Sequence, residues 1–256
     1  MFTDILTHKH GRILVVSLNR PSNLNAWNDR MYKEWGLILD RAAVDDTIAC
    51  VVLRGNGKAF SAGQDVAELA DYPIGATGAP SFDAMLRSHI TFPKPLIAAV
   101  HGIAIGWGAT LLAHCDLVIM SASSRIRVPF TALGLAPEGG SSITFPRLMK
   151  QEANWLLYTS SWYSANDCKR VGLAFSVVAD MDLVSEARRI AETIAKQPIV
   201  SLMATKKLIV AGKTDSILAA HKREQAAFAN GLLGGAANVE ALKALREKRE
   251  PNFSRL

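Results

Sequence analysis

The sequence predicts an α/β protein in which a parallel sheet with its helices is followed by an all-helical segment. An apolar β-branched run at Ile13 to Leu18, a helix from Asn28 or Asp29 to about Ala43, and a second apolar strand at Ile48 to Arg54 follow one another. Strands that alternate with helices pair in parallel, because each helix carries the chain back across the sheet. Beyond Met181, apolar residues recur at helical spacing only.

The predicted strands end at residues that favour turns. Pro21 follows the first strand, and Gly55-Asn56-Gly57 stops the second. The composition between Asp71 and Pro80 shifts to Pro, Gly, Ala and Thr, which predicts a surface loop. The remaining predicted elements are strands at Leu96–Val100, Asp116–Met120 and Phe175–Val178, a glycine-rich turn at Gly102–Gly108, and helices at Ala109–His114, Gln151–Thr159 and, behind a Ser164 cap, Ala165–Val171.

The helical tail is predicted to form a segment of its own. Pro198 interrupts the helical pattern, so we divide the chain into an α/β core at residues 1–198 and a helical segment at residues 199–256. Within that segment, apolar periodicity predicts three helices, at Val200–Val210, Ser216–Asn230 and Asn238–Lys248.

Composition narrows the function. The longest apolar runs, such as Leu96 to Val100, are far shorter than the roughly 20 residues that a membrane span needs, so we expect no membrane partner. The net charge is +6, but the basic residues are scattered, so nucleic acid is not expected and a phosphate-rich small molecule fits better. The cysteines at positions 50, 115 and 168 form no metal-binding pattern, so we expect no metal site.

Two segments of small residues connect strands to helices. They are Lys58–Val66 and His101–Thr110. Such turns leave backbone N–H groups free for an oxyanion or a phosphate, although a close-packed turn without any ligand is the commoner arrangement. The second segment lacks the spacing of a P-loop, and no Gly-x-Gly-x-x-Gly follows the first strand.

Several ordered motifs resemble the crotonase superfamily, also called the enoyl-CoA hydratase/isomerase family. The resemblance covers nearly the whole chain. It includes Leu18-Asn19-Arg20-Pro21 with Asn25-Ala26, the Ala59–Val66 turn, the glycine turn followed by Leu112–Asp116, Leu133-Gly134-Leu135, and Glu247-Lys248-Arg249 with Pro251 and Phe253. It implies a ββα spiral core with a C-terminal helical segment that packs homotrimers, often paired into hexamers.

The resemblance also implies a site for an acyl-coenzyme A thioester. The backbone N–H groups of Gln64 and Trp107 take the two oxyanion-binding positions of the family, which would stabilise an enolate. Coenzyme A enters as part of the substrate, with no separate cofactor. Further residues expected to contact the substrate are Arg20, Lys58, Ala59, Ala62, Gly63, Asp65, Gly106, Thr110, Phe130 and Leu135, with a cation near the C-terminus such as Lys248.

The acid–base residues depart from the family's hydratase pattern. Where the hydratases carry two glutamates, this chain has Thr110 and Phe130, which do not exchange protons near neutral pH. One carboxylate remains nearby, Glu138 in Pro-Glu-Gly-Gly-Ser-Ser, and this segment resembles the peroxisomal-type Δ3,Δ2-enoyl-CoA isomerases, in which this glutamate is the base. Apolar neighbours should raise its pKa. Alternatively, Glu138 only favours a helix N-terminus.

We therefore expect a Δ3,Δ2-enoyl-CoA isomerase with Glu138 as the proton shuttle. The alternatives are another reaction of the family, namely enoyl-CoA hydration or acyl-CoA hydrolysis, and a non-catalytic acyl-CoA binding protein. We expect a bacterial cytoplasmic protein. In a eukaryote, the terminal Ser254-Arg255-Leu256 would resemble a peroxisomal address.

Overall fold

A six-stranded sheet forms the centre of the protein, in a computed structural model that describes residues 2–72 and 75–254. Its strand order is β1-β2-β3-β4-β6-β9, and every neighbouring pair is parallel except β1 with β2. The strands are β1 (Ile5–His10), β2 (Ile13–Leu18), β3 (Cys50–Gly55), β4 (Leu96–Val100), β6 (Leu117–Ser121) and β9 (Ser176–Val178). The predicted parallel sheet is confirmed, with an antiparallel edge strand, β1, that the sequence analysis missed.

The two faces of the sheet are covered differently. Helix α1 (Asp29–Val44) begins at Asn28, whose side chain accepts a hydrogen bond from the Met31 amide, and it packs with the larger part of the apolar core on one face. Helix α8 (Leu183–Ala195) covers part of the other face, where Leu183, Ala187 and Ile190 contact Val52 and other strand residues. Both faces of the sheet must be covered at its centre, because the central strands β3 and β4 are apolar on both sides.

A second, three-stranded sheet lies where a simple glycine-rich turn was predicted. Strand β5 (Ile103–Ile105) forms inside the predicted turn Gly102–Gly108 and pairs in parallel with β7 (Arg125–Arg127), which pairs with β8 (Tyr163–Ser164). The helix predicted at Ala109–His114 begins earlier, as α4 (Trp107–Thr110), and continues as a 3-10 turn to His114. The turn is therefore shorter than predicted and lies directly at Gly106.

The remaining helices surround these sheets. They are α2 (Val66–Asp71), α3 (Phe82–Ile90), α5 (Ser141–Met149), α6 (Gln151–Thr159), α7 (Ala165–Arg170), α9 (Ile199–Ala211), α10 (Thr214–Ala227) and α11 (Ala236–Glu247). Helix α3 was not predicted. The helix predicted at Ser216–Asn230 runs as α10 to Ala227 and continues as a π-helical turn at Phe228–Leu232, within which Asn230 and Gly231 leave helical geometry. The prediction of a separate segment at residues 199–256 stays a prediction.

The loop predicted at Asp71–Pro80 falls partly outside the described residues, which omit Pro73 and Ile74. Asp71 belongs to the end of α2, and residues 75–81 connect it to α3. The C-terminal Arg255 and Leu256 also lie outside the described residues. Within the part of the chain that is described, no helix is long and apolar enough to cross a membrane.

Candidate active site

A pocket of about 710 Å³ collects most of the residues predicted to form the site. Seven of them line it: Ala62, Gln64, Gly106, Trp107, Phe130, Leu135 and Glu138. The three residues assigned to catalysis are therefore neighbours, although they come from positions 64, 107 and 138. Part of the loop between α2 and α3 also lines the pocket, at Thr77, Gly78 and Ala79.

Gln64 forms an isolated parallel bridge with Trp27, and the backbone N–H of Gln64 points away from Trp27. Trp27 donates its N–H to Gly63 O at 2.7 Å and accepts from the Asp65 N–H at 2.8 Å. In such a parallel bridge, the N–H of the residue between the two partners points to the opposite side. Within residues 2–72 and 75–254, no backbone oxygen accepts a hydrogen bond from the Gln64 N–H. This donor is available to a ligand.

The amide of Trp107 is available for a different reason. Trp107 is the first residue of α4, where N–H groups have no partner within the helix, and among the described residues no backbone oxygen accepts from it. The preceding Gly106 has φ +51°, and its own N–H donates to Arg127 O at 2.9 Å. The hydrogen bond to β7 thus holds Gly106, the residue that precedes the Trp107 amide.

Glycine brings the two donor segments together. A Cβ on Gly63 would lie 2.5 Å from Ile105 O and 3.4 Å from the Cα of Gly106, and Gly63 has φ +84°. Only glycine allows this approach and this backbone conformation. The peptides before Gln64 and Trp107 therefore run side by side along the pocket wall, as two donors for one oxyanion would require.

Glu138 carries a strongly perturbed carboxyl group. Burial raises its pKa to about 8, a hydrogen bond from Thr110 acts in the opposite direction, and the nearby Glu224 carboxylate raises the pKa further. The Thr110 hydroxyl lies 2.7 Å from Oε1 of Glu138. The sequence analysis expected the raised pKa from apolar neighbours, but did not find the contacts with Thr110 and Glu224. A carboxyl with a pKa near neutral can both accept and return a proton.

The turn that carries Glu138 is fixed from three sides. The neutral imidazole of His114 donates from Nε2 to Gly139 O at 2.8 Å, and burial lowers the pKa of His114 to about 4. Glu224 of α10 accepts from the Gly140 N–H at 2.7 Å and from the Ser142 N–H at 2.9 Å. A Cβ on Gly139 would lie 2.8 Å from the Trp107 ring. Glu138 therefore has little freedom to move away from the pocket.

The first turn of α5 does not hold Glu138. Helix α5 begins at Ser141, and its first amides bind Glu224. Glu138 instead lies in the preceding turn, lines the pocket, and accepts a hydrogen bond from the Thr110 hydroxyl. Glu138 therefore precedes the helix N-terminus instead of forming its first turn, and its role as a base remains a prediction.

Aromatic side chains line the inner part of the pocket. Tyr32 donates its hydroxyl to Oε1 of the Gln64 side chain at 2.7 Å, and its ring contacts Phe82 with centroids 5.1 Å apart. Phe82 in turn packs against Trp107, with centroids 4.9 Å apart. Neither Tyr32 nor Phe82 was predicted as a site residue: Tyr32 is an apolar-face residue of the predicted helix α1, and Phe82 belongs to α3, which was not predicted.

Six predicted residues lie outside the pocket wall: Arg20, Lys58, Ala59, Gly63, Asp65 and Thr110. Arg20 is paired with a carboxylate, since its Nη1 lies 2.9 Å from Oδ2 of Asp65, and its contact with coenzyme A remains a prediction. Asp65 also caps α2 by accepting from the Ala67 amide. Gly63 acts on the site through its close backbone packing against Ile105, and Thr110 acts through its hydrogen bond to Glu138.

Lys58 lies in a second groove, and Ala59 lies in the protein interior. Lys58 is exposed and lines a second groove, with His101 and Arg54, on another part of the surface. The side chain of Ala59 is buried, and its carbonyl accepts a hydrogen bond from the Asn25 side chain. Near the C-terminus, Arg249 lines the pocket, whereas Lys248 does not. Contacts of Lys58, Ala59 and Lys248 with coenzyme A remain predictions.

The fold and the arrangement of this site agree with the comparison to known families. Residues 8–255 match the family described as enoyl-CoA hydratase/isomerase. The chain belongs to this family. A solved enoyl-CoA hydratase/isomerase from Pseudoalteromonas atlantica T6c superimposes with a TM-score of 0.92 at 35% identity, covering 98% of this chain and 100% of that one. The predicted crotonase-type fold is thereby confirmed.

The family members that are similar to this chain are named for different reactions. The 1,2-epoxyphenylacetyl-CoA isomerase of Escherichia coli (strain K12) is 33% identical over 265 residues, covering 99% of each chain. The human enoyl-CoA delta isomerase 2 is 34% identical over 229 residues, covering 87% of this chain and 58% of that protein. Other relatives of similar identity are named as hydratases. The family is therefore certain from sequence, whereas the reaction must be argued from the site.

Proposed function

We propose that this protein is a Δ3,Δ2-enoyl-CoA isomerase. The observation that supports it is one carboxyl group with a pKa of about 8, Glu138, in the same pocket as the amide donors of Gln64 and Trp107. Moving a double bond needs one base and an oxyanion site, whereas the two hydratase glutamates are replaced by Thr110 and Phe130.

The proposed reaction is a proton transfer in two halves. The Glu138 carboxylate removes a proton from C2 of a 3-enoyl thioester, and the electron pair moves to the thioester oxygen to form a dienolate. The N–H groups of Gln64 and Trp107 donate hydrogen bonds to that oxygen. The protonated Glu138 then returns the proton to C4, the double bond settles between C2 and C3, and the carboxylate is restored. No redox cofactor is needed, because no electrons leave the substrate, and the two amide N–H groups take the place that a Lewis-acidic metal would have at the thioester oxygen.

Hydration of a 2-enoyl thioester is the second candidate. Relatives with hydratase names favour it, and Glu224 supplies a second carboxylate in the pocket wall. Each oxygen of Glu224, however, already accepts a backbone hydrogen bond from the start of α5. Using Glu224 to activate water would weaken that anchor, so we favour the reaction that requires one carboxylate only.

Product analysis separates the candidate reactions. Purified protein is incubated with 3-enoyl-CoA and, separately, with 2-enoyl-CoA, and the products are identified by chromatography and mass spectrometry. Isomerisation leaves the mass unchanged, hydration adds the mass of water, and hydrolysis releases free coenzyme A. Conversion of 3-enoyl-CoA to 2-enoyl-CoA supports the proposal. Addition of water to 2-enoyl-CoA without any isomerisation would reject it, and binding without turnover would indicate a non-catalytic acyl-CoA binding protein.

We also propose that the chain assembles as a homotrimer or as a pair of trimers. Helix α9 exposes large apolar side chains, with Val200 81% and Leu208 79% accessible in the single chain. Apolar helical surface of this kind is typical of subunit interfaces. Light scattering coupled to gel filtration tests the proposal, and a monomer at micromolar concentration would contradict it.

A further inference from the structure

Four aromatic side chains form a closed circle of contacts between the two proposed oxyanion donors. They are Trp27, Tyr32, Phe82 and Trp107, and we name them the aromatic quartet. Trp27 stacks on Tyr32 with ring centroids 5.3 Å apart. Phe82 meets Tyr32 and Trp107 edge to face, at 5.1 and 4.9 Å, and the circle closes where Trp107 meets Trp27 at 6.5 Å. One member, Trp107, carries one of the two donor amides.

The quartet is buried, and its members come from four places in the chain. Each of the four residues is at most 8% exposed. Tyr32 lies in α1, Phe82 begins α3, Trp107 begins α4, and Trp27 precedes α1. Close-packed aromatic side chains have few alternative rotamers, and a change in one displaces its neighbours. The quartet therefore fixes the relative positions of the segments that carry it.

Gln64, which carries the other donor amide, is attached to the quartet by its backbone and by its side chain. The residues on either side of it, Gly63 and Asp65, form hydrogen bonds of 2.7 and 2.8 Å with the Trp27 backbone. The Gln64 side chain accepts a hydrogen bond from the Tyr32 hydroxyl, whose oxygen lies 2.7 Å from Oε1. Gln64 is thus attached to two quartet members that stack on each other.

The Tyr32 hydroxyl makes the shorter of two contacts with the Gln64 side chain. The second joins Nε2 to the Tyr72 hydroxyl at 3.5 Å, which is long for a hydrogen bond. Burial raises the pKa of Tyr32 well above its usual value, and the nearby Glu138 carboxylate raises it further, so the hydroxyl keeps its proton. Because Oε1 can only accept, the Tyr32 hydroxyl is the donor. Tyr32 therefore determines where the Gln64 side chain lies.

We propose that Tyr32 is a positioning residue for the oxyanion site: its hydroxyl acts through the Gln64 side chain to hold the Gln64 amide beside the Trp107 amide. The inference rests on the proposed role of these amides in binding the thioester oxygen. Oxyanion donors are effective because they are in place before charge develops. A displaced amide makes a longer or more bent hydrogen bond, which is weaker. The one hydroxyl proton of Tyr32 is donated to Gln64, so Tyr32 is not a third donor to the substrate.

The matched variants are Tyr32→Phe and Tyr163→Phe. Each keeps the ring of a buried tyrosine and removes its hydroxyl, and Tyr163 donates to the Glu152 carboxylate outside the pocket wall. We expect Tyr32→Phe to lower kcat for 3-enoyl-CoA about 10-fold at an unchanged KM, because the interaction matters in the transition state. Tyr163→Phe should keep the wild-type kcat. A rise in KM at the wild-type kcat, or equal losses of kcat in both variants, would overturn the proposal.

Infrared spectroscopy measures the hydrogen bonds to the thioester oxygen without any turnover. The probe is hexanoyl-CoA labelled with ¹³C at its carbonyl, and the bound carbonyl frequency is read from difference spectra. We expect wild type and Tyr163→Phe to lower this frequency equally relative to the free thioester. Tyr32→Phe should lose part of that shift, because one donor is misplaced. The full wild-type shift in Tyr32→Phe would contradict the proposed positioning role.

A double-mutant cycle tests whether Tyr32 acts through the Gln64 side chain. Gln64→Met removes Oε1 and keeps the backbone N–H. In the Gln64→Met background, Tyr32→Phe should cause no further loss of kcat, because its partner is already absent. Additive losses would show that Tyr32 acts by another route and would overturn the inference.

The infrared and kinetic results also separate this inference from the proposed function. A carbonyl shift that depends on Tyr32, in a protein that fails to isomerise 3-enoyl-CoA, would reject the proposed function and keep the inference. Isomerisation at the same rate by wild type and Tyr32→Phe would keep the proposed function and reject the inference.

Discussion

The Thr110 hydroxyl lies 2.7 Å from Oε1 of Glu138, although the two residues are 28 positions apart. Thr110 occupies a position where family hydratases carry a glutamate, so in this chain a hydrogen-bond donor faces the remaining acid. Its hydrogen bond lowers the pKa of Glu138, whereas burial and Glu224 raise it. The balance of these three effects sets the pH range in which Glu138 can act as a base.

Replacing Thr110 by valine tests this balance. Thr110→Val keeps the shape and removes the hydroxyl, so the ionised form of Glu138 loses a donor and its pKa rises. The midpoint of the rise in kcat/KM with pH should therefore shift to higher pH, by about one unit. The control is Thr144→Val, because the buried Thr144 hydroxyl has no partner among the described residues. A downward displacement for Thr110→Val would show that the hydroxyl does not stabilise the carboxylate.

The Glu224→Gln variant should have the opposite effect. The negative charge of Glu224 raises the pKa of Glu138, so a neutral amide lowers that pKa and activity appears at lower pH. The glutamine oxygen can still accept one of the two α5 amides. A pH profile of kcat/KM, with Glu250→Gln as the exposed pocket control, measures the effect. An unchanged profile would mean that Glu224 only anchors the turn.

Gly63→Ala should disrupt the oxyanion site. Both the positive φ and the 2.5 Å approach to Ile105 O oppose a side chain, so the strand carrying the Gly106 peptide must shift. We expect kcat to fall about 10²- to 10³-fold, as when one oxyanion donor is lost. Gly11→Ala is the matched control, because Gly11 has φ +57° with nothing near its Cβ position. Similar losses of activity in both variants would attribute the effect to backbone strain alone.

Thermal stability should also report the pKa of Glu138. The folded-state pKa is about 8, above the 4.5 of an unperturbed glutamate, so the folded state holds the proton more tightly. The stability that this provides is present below about pH 4.5 and is lost as the pH rises toward 8. Glu138→Gln cannot titrate, so its Tm relative to wild type should increase between pH 5 and 9. A constant difference in Tm across that range would contradict the raised pKa.

The sequence predicted the central sheet well because its strands have a clear local pattern. Runs such as Ile13–Leu18 and Leu96–Val100 are apolar on both faces and stop at turn residues. Strand β1 was missed because, apart from Ile5 at its start, it is exposed, as an edge strand can be. Strand β5 was missed because its three residues lie between glycines and pair with a strand about twenty residues later. Its stability comes from a non-local partner.

The site residues also divide into those with a local sequence pattern, which were predicted, and those defined by non-local contacts, which were not. Gln64, Trp107 and Glu138 were identified from motifs that are continuous in the chain. Glu224 could not be identified, because its contact with Gly140 spans 84 residues and nothing local distinguishes it from Asp215, the other acid of α10. The pairing of Arg20 with Asp65 was not predicted, because the two residues are 45 positions apart.

The rate of the Glu138→Gln variant tests the account most directly. The glutamine has nearly the same shape, and it can accept no proton from C2. We expect kcat for 3-enoyl-CoA to fall about 10²- to 10⁴-fold while coenzyme A binding stays within the range of wild type. Isomerisation of 3-enoyl-CoA by Glu138→Gln at the wild-type rate would show that another group moves the proton.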